Sequence, residues 1–128
     1  MNTQTAAKWF GIVIFIIGVL GFIPGVVTNA GYLAGIFSVN TIFNLIYIIT
    51  GMVAYFSADT FKASKIFFKI IGPIFLIIAV FGIIGKGAIL GIFPTNIAVT
   101  ILHIVFAFYA LYFGFGGEMT ASMQPAQM

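Results

Sequence analysis

Long apolar runs alternate along the chain with short polar breaks. Four runs stand out, at residues 9–27, about 39–56, about 66–84 and about 97–115. Lys8 precedes the first, and Thr28 and Asn29 follow it. The second ends at Ser57, Ala58 and Asp59, the third at Gly85, Lys86 and Gly87, and the fourth at Gly116, Gly117 and Glu118. Each run is close to the ~20 residues that a helix needs to cross an apolar layer ~30 Å thick. A membrane barrel would alternate apolar and polar positions, whereas Ile12, Val13, Ile14, Phe15, Ile16 and Ile17 are apolar without a break. The pattern predicts an all-α integral membrane four-helix bundle, one domain over residues 1–128, with no room for a separate soluble domain. The first run has the flanks of a secretory leader, but it is longer than a usual leader core and has a counterpart later in the chain. It is expected to remain as the first span.

Composition excludes the main alternatives. Hydrophobic residues make up 62% of the 128 positions and charged residues 5%, against roughly 45–50% and roughly 25% in ordinary globular domains. Five lysines and two acids cannot coat a water-soluble surface around such a core. Disorder needs the opposite balance, low hydrophobicity with high charge. With no cysteine, disulfides, thiolate metal sites and cysteine nucleophiles are excluded.

The lysines set an orientation. Lys8, Lys62, Lys65 and Lys69 fall on one side of a four-span chain and Lys86 on the other. Positive residues favour the cytoplasmic side, so both termini are expected in the cytoplasm, in the plasma (inner) membrane of a prokaryote. Trp9, Tyr55 and Tyr112 then lie near the cytoplasmic interface, where amphipathic rings are favoured. Nucleic acid is not an expected partner, because no basic patch is present. Lys62, Lys65 and Lys69 are expected to meet anionic lipid headgroups.

The chain also repeats itself. Gly35, Ile36, Phe37 and Asn40 recur as Gly91, Ile92, Phe93 and Asn96, an offset of 56 residues. Gly11, Val19 and Gly21 recur as Gly72, Val80 and Gly82, an offset of 61. The repeat units, about 9–56 and 66–115, each hold two helices, so both insert the same way round. The expected architecture is two tandem helical hairpins related by an axis along the membrane normal, the parallel class of repeat. Ser38 and Pro94 are expected to start helices, as N-cap and first-turn residue. Segments 33–37 and 89–93 are too short and too apolar for free loops and should fold over the outer ends. Asn40 and Asn96, in the first helical turns, should anchor them. Asp59 is expected to cap the third helix, which Gly72 and Pro73 should bend.

Few side chains could carry chemistry. Glycines such as Gly11, Gly18, Gly51 and Gly114 read as packing residues that let membrane helices approach. Asn44, Tyr47 and Thr50 share one face of the second helix, and Thr100 and His103 share one face of the fourth, with Tyr109 below. These faces should meet as an intramembrane polar cluster. An ionisable residue at membrane depth is a functional candidate by default, and His103 is the one histidine. The roles open to it are a hydrogen-bonded core imidazole, a proton or ion relay, a haem or metal ligand, and an oligomer contact. One chain cannot supply a bis-histidine haem. Asp59 and Glu118 are the only acids, so paired-carboxylate catalysis is not expected. No phosphate loop is present, and a metal site lacks ligands. No enzymatic activity, metal or cofactor is expected.

Gly-Phe-Ile-Pro-Gly at residues 21–25 and Gly-Ile-Phe-Ser-Val-Asn-x-x-x-Asn-Leu-Ile-x-x-x-x-Gly at residues 35–51 resemble a prokaryotic membrane family, domain of unknown function 4383. The resemblance covers roughly residues 7–116. The family pattern carries histidines on helix two where this chain has Phe43 and Tyr47. Of the family's histidines only the one on helix four, His103, is matched. The resemblance implies a small four-helix inner-membrane protein and supplies no activity. Three functions compete: a structural or accessory subunit in a homo-oligomer or larger membrane complex; a minimal channel or transporter along Asn44, Tyr47, Thr100 and His103; and a redox subunit holding haem or quinone at His103.

Overall fold

The computed structural model describes residues 1–116. Four helices dominate it: α1 (Thr3–Leu20), α2 (Thr41–Ser57), α3 (Phe61–Ile84) and α4 (Ile97–Leu111), the last continued by a π-helical turn at Tyr112–Gly116. Two small antiparallel hairpins join them. β1 (Tyr32–Leu33) pairs with β2 (Phe37–Ser38) between α1 and α2, and β3 (Ala88–Ile89) pairs with β4 (Phe93–Pro94) between α3 and α4.

The helix starts are set by side-chain caps. Asn2 accepts from the Thr5 amide at 2.8 Å, Asn40 from Phe43 at 3.0 Å, Thr60 from Ala63 at 3.1 Å and Asn96 from Val99 at 3.0 Å. Each satisfies an amide that the helix itself cannot. Several expectations are corrected here. The third helix is capped by Thr60, not Asp59. Asn40 and Asn96 are the caps themselves rather than first-turn residues. Ser38 and Pro94, expected to start helices, lie in β2 and β4. The first helix runs from Thr3 to Leu20 rather than over 9–27, because Asn2 starts it early and successive turns from Gly21 past Pro24 replace its last stretch. α3 continues without a break through Pro73. Glu118, expected to mark the end of the fourth span, lies outside the described residues.

α1, α3 and α4 with its π-turn are long and apolar enough to cross a membrane. α2 has 17 residues, roughly 26 Å at 1.5 Å per residue, which is at the lower limit for spanning.

The helices pair closely where both carry glycine. A β-carbon on Gly11 would stand 2.6 Å from the Gly51 carbonyl oxygen, and one on Gly51 would stand 2.7 Å from the Gly11 oxygen. No larger residue permits α1 and α2 to approach so far. The pairs α1–α2 and α3–α4 then join through aromatic rings. Phe10 meets Phe68 of α3 edge-on at 5.8 Å and Phe106 of α4 at 5.4 Å, and stacks on Tyr109 at 5.7 Å. Such contacts contribute ~0.5–1.5 kcal/mol each beyond the area they bury. The buried core, which includes Ile14, Phe43, Phe68, Phe75 and Phe106, draws on all four helices. Large apolar side chains such as Ile49, Ile77, Ile84 and Ile101 face outward.

Polar bonds fix the two ends. At one end the Gln4 amide donates to the carbonyls of Ala58 and Asp59 in the α2–α3 turn, and the Tyr109 hydroxyl donates to Ala6 O at 2.9 Å. At the other end both hairpins reverse at residues of left-handed backbone, Ala34 and Gly35 in one (φ 52° and 74°) and Leu90 and Gly91 in the other (φ 55° and 70°). This sign pattern suits the twist of a tight hairpin. Segments 33–37 and 89–93 thus fold back as expected, with Leu33 and Ile89 buried beneath them. Asn96 links the two ends of the fold-back. Its Nδ2 donates to Ile36 O at 2.7 Å, and its Oδ1 accepts from Ser38 N at 3.3 Å.

Asn96→Ala is therefore expected to cost ~1 kcal/mol for the lost cap and also to release the β1–β2 hairpin. Hydrogen exchange at the Ser38 amide should accelerate in Asn96→Ala and stay near wild type in Asn40→Ala. Equal protection of Ser38 in the two variants would refute the anchoring role.

Candidate functional site

The side chain that the sequence singles out, His103, is 1% exposed. The helical period places it on the inner face of α4, one turn after Thr100 and one turn before Ala107. Opposite stands Tyr47 on the inner face of α2, and its hydroxyl is hydrogen-bonded to His103 Nε2. The remaining walls are aromatic. Phe43 lies nearly parallel to the imidazole at 5.8 Å, and Phe75 of α3 stands 5.7 Å away. The pair is thus enclosed by rings from α2 and α3, and Phe43 in turn packs on Phe93 of the second hairpin.

The donor in this bond depends on the tautomer, but either arrangement joins α2 to α4 through one bond. His103 Nδ1 is left without a partner among the described residues. Where water is absent, such an atom is costly.

The other expected members of the cluster separate. Asn44 is buried, and its Nδ2 donates to Gly21 O at 2.9 Å, closing the end of α1 onto α2. Its Oδ1 has no partner among the described residues. Thr100 packs on Gly82 of α3, where a β-carbon would stand 2.7 Å from its hydroxyl. Thr50 faces a cleft between α2 and α3 whose other walls include Val53, Phe67 and Ile70. Tyr109 serves the opposite end, bonded to Ala6. The structure therefore brings Tyr47 and His103 together and gives Asn44, Thr50, Thr100 and Tyr109 separate contacts.

Lys62 is exposed. Lys65 Nζ lies 5.6 Å above the Phe61 ring and Lys69 Nζ 5.7 Å above Phe115. The three lysines line the first turns of α3, beside the end where Gln4 meets the α2–α3 turn. No group of three or more His, Cys, Asp or Glu side chains that could hold a metal ion occurs among the described residues.

Sequence reasoning passed over two polar contacts. Gln4 precedes the first apolar run, so nothing in the pattern marks its bonds to the carbonyls of Ala58 and Asp59. Ser64, on α3, donates to Ser57 O at 2.9 Å and to Thr60 O at 2.8 Å, tying the α2–α3 turn to the first turns of α3. A small polar residue four positions after a cap gives a signal only once the turn is known to be tight.

If the Tyr47–His103 bond holds α2 to α4, Tyr47→Phe and His103→Phe should each lower stability by ~1–3 kcal/mol. The double variant should lose less than the sum of the two. Unfolding in mixed micelles would measure the coupling, and strict additivity would show that the bond contributes nothing.

No curated protein and no solved structure matches the chain. One family does, and it extends over nearly all of the described residues, from the first turn of α1 to the end of the π-turn. The chain belongs to the family described as Domain of unknown function (DUF4383), which matches residues 4–116.

Proposed function

We propose that the protein is a multi-pass membrane protein built as a four-helix bundle of two tandem hairpins, acting as a structural or accessory subunit. It would associate with itself or with other membrane proteins through its outer helix faces, and it would not be an enzyme. The observation that carries this reading is the closed Tyr47–His103 pair. Tyr47 and His103, two of the polar groups that could have lined a path, are instead bonded to each other between α2 and α4, inside walls of phenylalanine. With Nε2 held by Tyr47, Nδ1 buried and the whole ring 1% exposed, neither ring nitrogen is within reach of a haem iron in this packing.

The outer faces support the other half of the reading. Apolar residues cover them, and an open groove of about 320 Å³ along the α1–α2 seam, walled by Ile12, Phe15, Ile16 and Met52, would seat apolar side chains of a neighbouring helix. The matching left-handed turns at Ala34–Gly35 and Leu90–Gly91, and the matching caps at Asn40 and Asn96, support a duplicated hairpin. Lys8, Lys62, Lys65 and Lys69 at one end against Lys86 at the other support cytoplasmic termini in a prokaryotic plasma membrane. The first three turns of α3 then reach the headgroups of anionic lipid. The alternative, a proton or small-solute path, draws on one observation, the unpartnered Nδ1 of His103.

Native mass spectrometry after gentle extraction separates these readings. A fixed-stoichiometry assembly that survives in His103→Ala is the expected result. A bare monomer whose proton or solute flux in liposomes vanishes in His103→Ala would replace the accessory reading with the channel. A haem-sized or quinone-sized adduct lost in the same variant would replace it with the redox carrier. For orientation, a cysteine at position 62 should react with an impermeant maleimide only in inverted vesicles, and a cysteine at 86 only in right-side-out cells.

A further inference from the structure

We propose that the cleft between α3, the second hairpin and α4 is a binding site for one anionic phospholipid, with Lys86 and Thr95 at the phosphate and an isoleucine wall along an acyl chain. The cleft has a volume of about 710 Å³. Its polar end holds Lys86, Thr95 and Asn96, and its floor descends past Ile83, Ile101 and Ile104.

Three observations point to an anionic amphiphile. Thr95 is 7% exposed, lines the cleft, and has a hydroxyl without a partner among the described residues. Its amide is already committed to Gly87 O at 3.0 Å. A phosphate oxygen in the cleft would accept from this hydroxyl. Second, Lys86 stands at the cleft with a left-handed backbone, φ 50°. Such a φ is uncommon for any residue but glycine. The equivalent amide bonds of Val39 to Gly31 O and of Thr95 to Gly87 O set Ala30 opposite Lys86 in the first connection. A lysine thus stands where a left-handed backbone is required, and among the described residues it is the sole charged side chain at this end of the molecule. Third, α4 begins at the cleft with Ile97 and Ala98, so the positive end of its dipole adds to the ammonium.

The other half of the molecule provides a natural comparison. The matching cleft beside Gly21, Asn40 and Asn44 has a volume of about 370 Å³. It carries Val39 where the first cleft has Thr95, no charged side chain lines it, and the long connection over residues 21–31 crowds it. The short connection over residues 85–87 leaves the second cleft open and brings the cation to its edge. Free phosphate would satisfy the polar end alone and leave the isoleucine floor bare, so the occupant that fits both is a phospholipid.

This inference rests on the membrane placement proposed above. The test uses the full-length protein reconstituted in mixed vesicles of phosphatidylcholine and phosphatidylglycerol, with retained lipid counted by native mass spectrometry. The wild type should keep phosphatidylglycerol in preference to phosphatidylcholine. Lys86→Gln should cut that preference about fivefold, Thr95→Val should weaken it, and Lys8→Gln at the opposite end should leave it unchanged. Ile101→Trp, filling the floor, should reduce retention of phosphatidylglycerol. Unchanged retention and preference in both Lys86→Gln and Thr95→Val would overturn the site, as would displacement of the lipid by inorganic phosphate with Ile101→Trp binding normally. Failure of the wild type to insert in vesicles would overturn the membrane reading and the site together, whereas insertion with unaltered lipid retention in the variants overturns the site alone.

Discussion

The close backbone approach of α1 to α2 is the constraint on which the rest of the structure depends. In apolar surroundings there is no hydrophobic gain from bringing two apolar helices together, and packing must do the work. Gly11 and Gly51 remove the β-carbons that would hold the backbones apart. That approach brings the end of α1 within reach of Asn44, which bonds to Gly21 O. It also sets α2 at the depth from which Tyr47 reaches His103. On the other side Gly72 takes the Leu111 side chain at close range, and the π-turn lays Gly114 against the α3 backbone. Phe10 then fastens one helical pair to the other with edge-on contacts that need no polar partner.

Polar groups in this protein act as fasteners between helices. Each of Asn44, Tyr47, Ser64, Asn96 and Tyr109 spends at least one bond on a different turn or element from its own. This economy explains how a chain with so few polar side chains holds a defined arrangement. It also makes the exceptions informative. His103 Nδ1, Asn44 Oδ1 and Thr95 Oγ1 are the buried side-chain atoms without partners among the described residues. His103 sits inside the packed core, and Asn44 lines the smaller cleft beside Gly21. Thr95 is the one of the three that lines the large cleft at the Lys86 end.

The two hairpins are alike in their turns and caps, yet differ in what they leave open. Asn96 serves both, capping α4 while holding β1–β2, so the asymmetry begins at a residue whose counterpart Asn40 caps α2. The shorter α3–β3 connection completes it. One half is packed over its outer end by residues 21–31, and the other exposes a cavity with a cation at its rim.

How much of this was legible in the sequence follows from the range of the forces involved. Helix positions are local, because uninterrupted apolar runs and the polar breaks between them decide where backbone hydrogen bonding can continue. Residues 39–56 and α2 nearly coincide for that reason, as do the starts of the fourth run and α4 at Ile97. The pairing of Tyr47 with His103 was also foreshadowed, since the helical period placed both on inward faces. The splitting of the expected polar cluster was not legible, because Thr50 shares a face with Asn44 and Tyr47 yet lines a cleft against α3, and Tyr109 turns to Ala6 of α1. The caps at Thr60, one residue past Asp59, and at Asn40 and Asn96, two past Ser38 and Pro94, turned on which oxygen reached an amide in three dimensions. The sequence by itself determined four apolar helices, their order and the family. Only the tertiary structure decided which polar atoms found partners and which cleft stayed open, because those outcomes depend on distances between residues far apart in the chain.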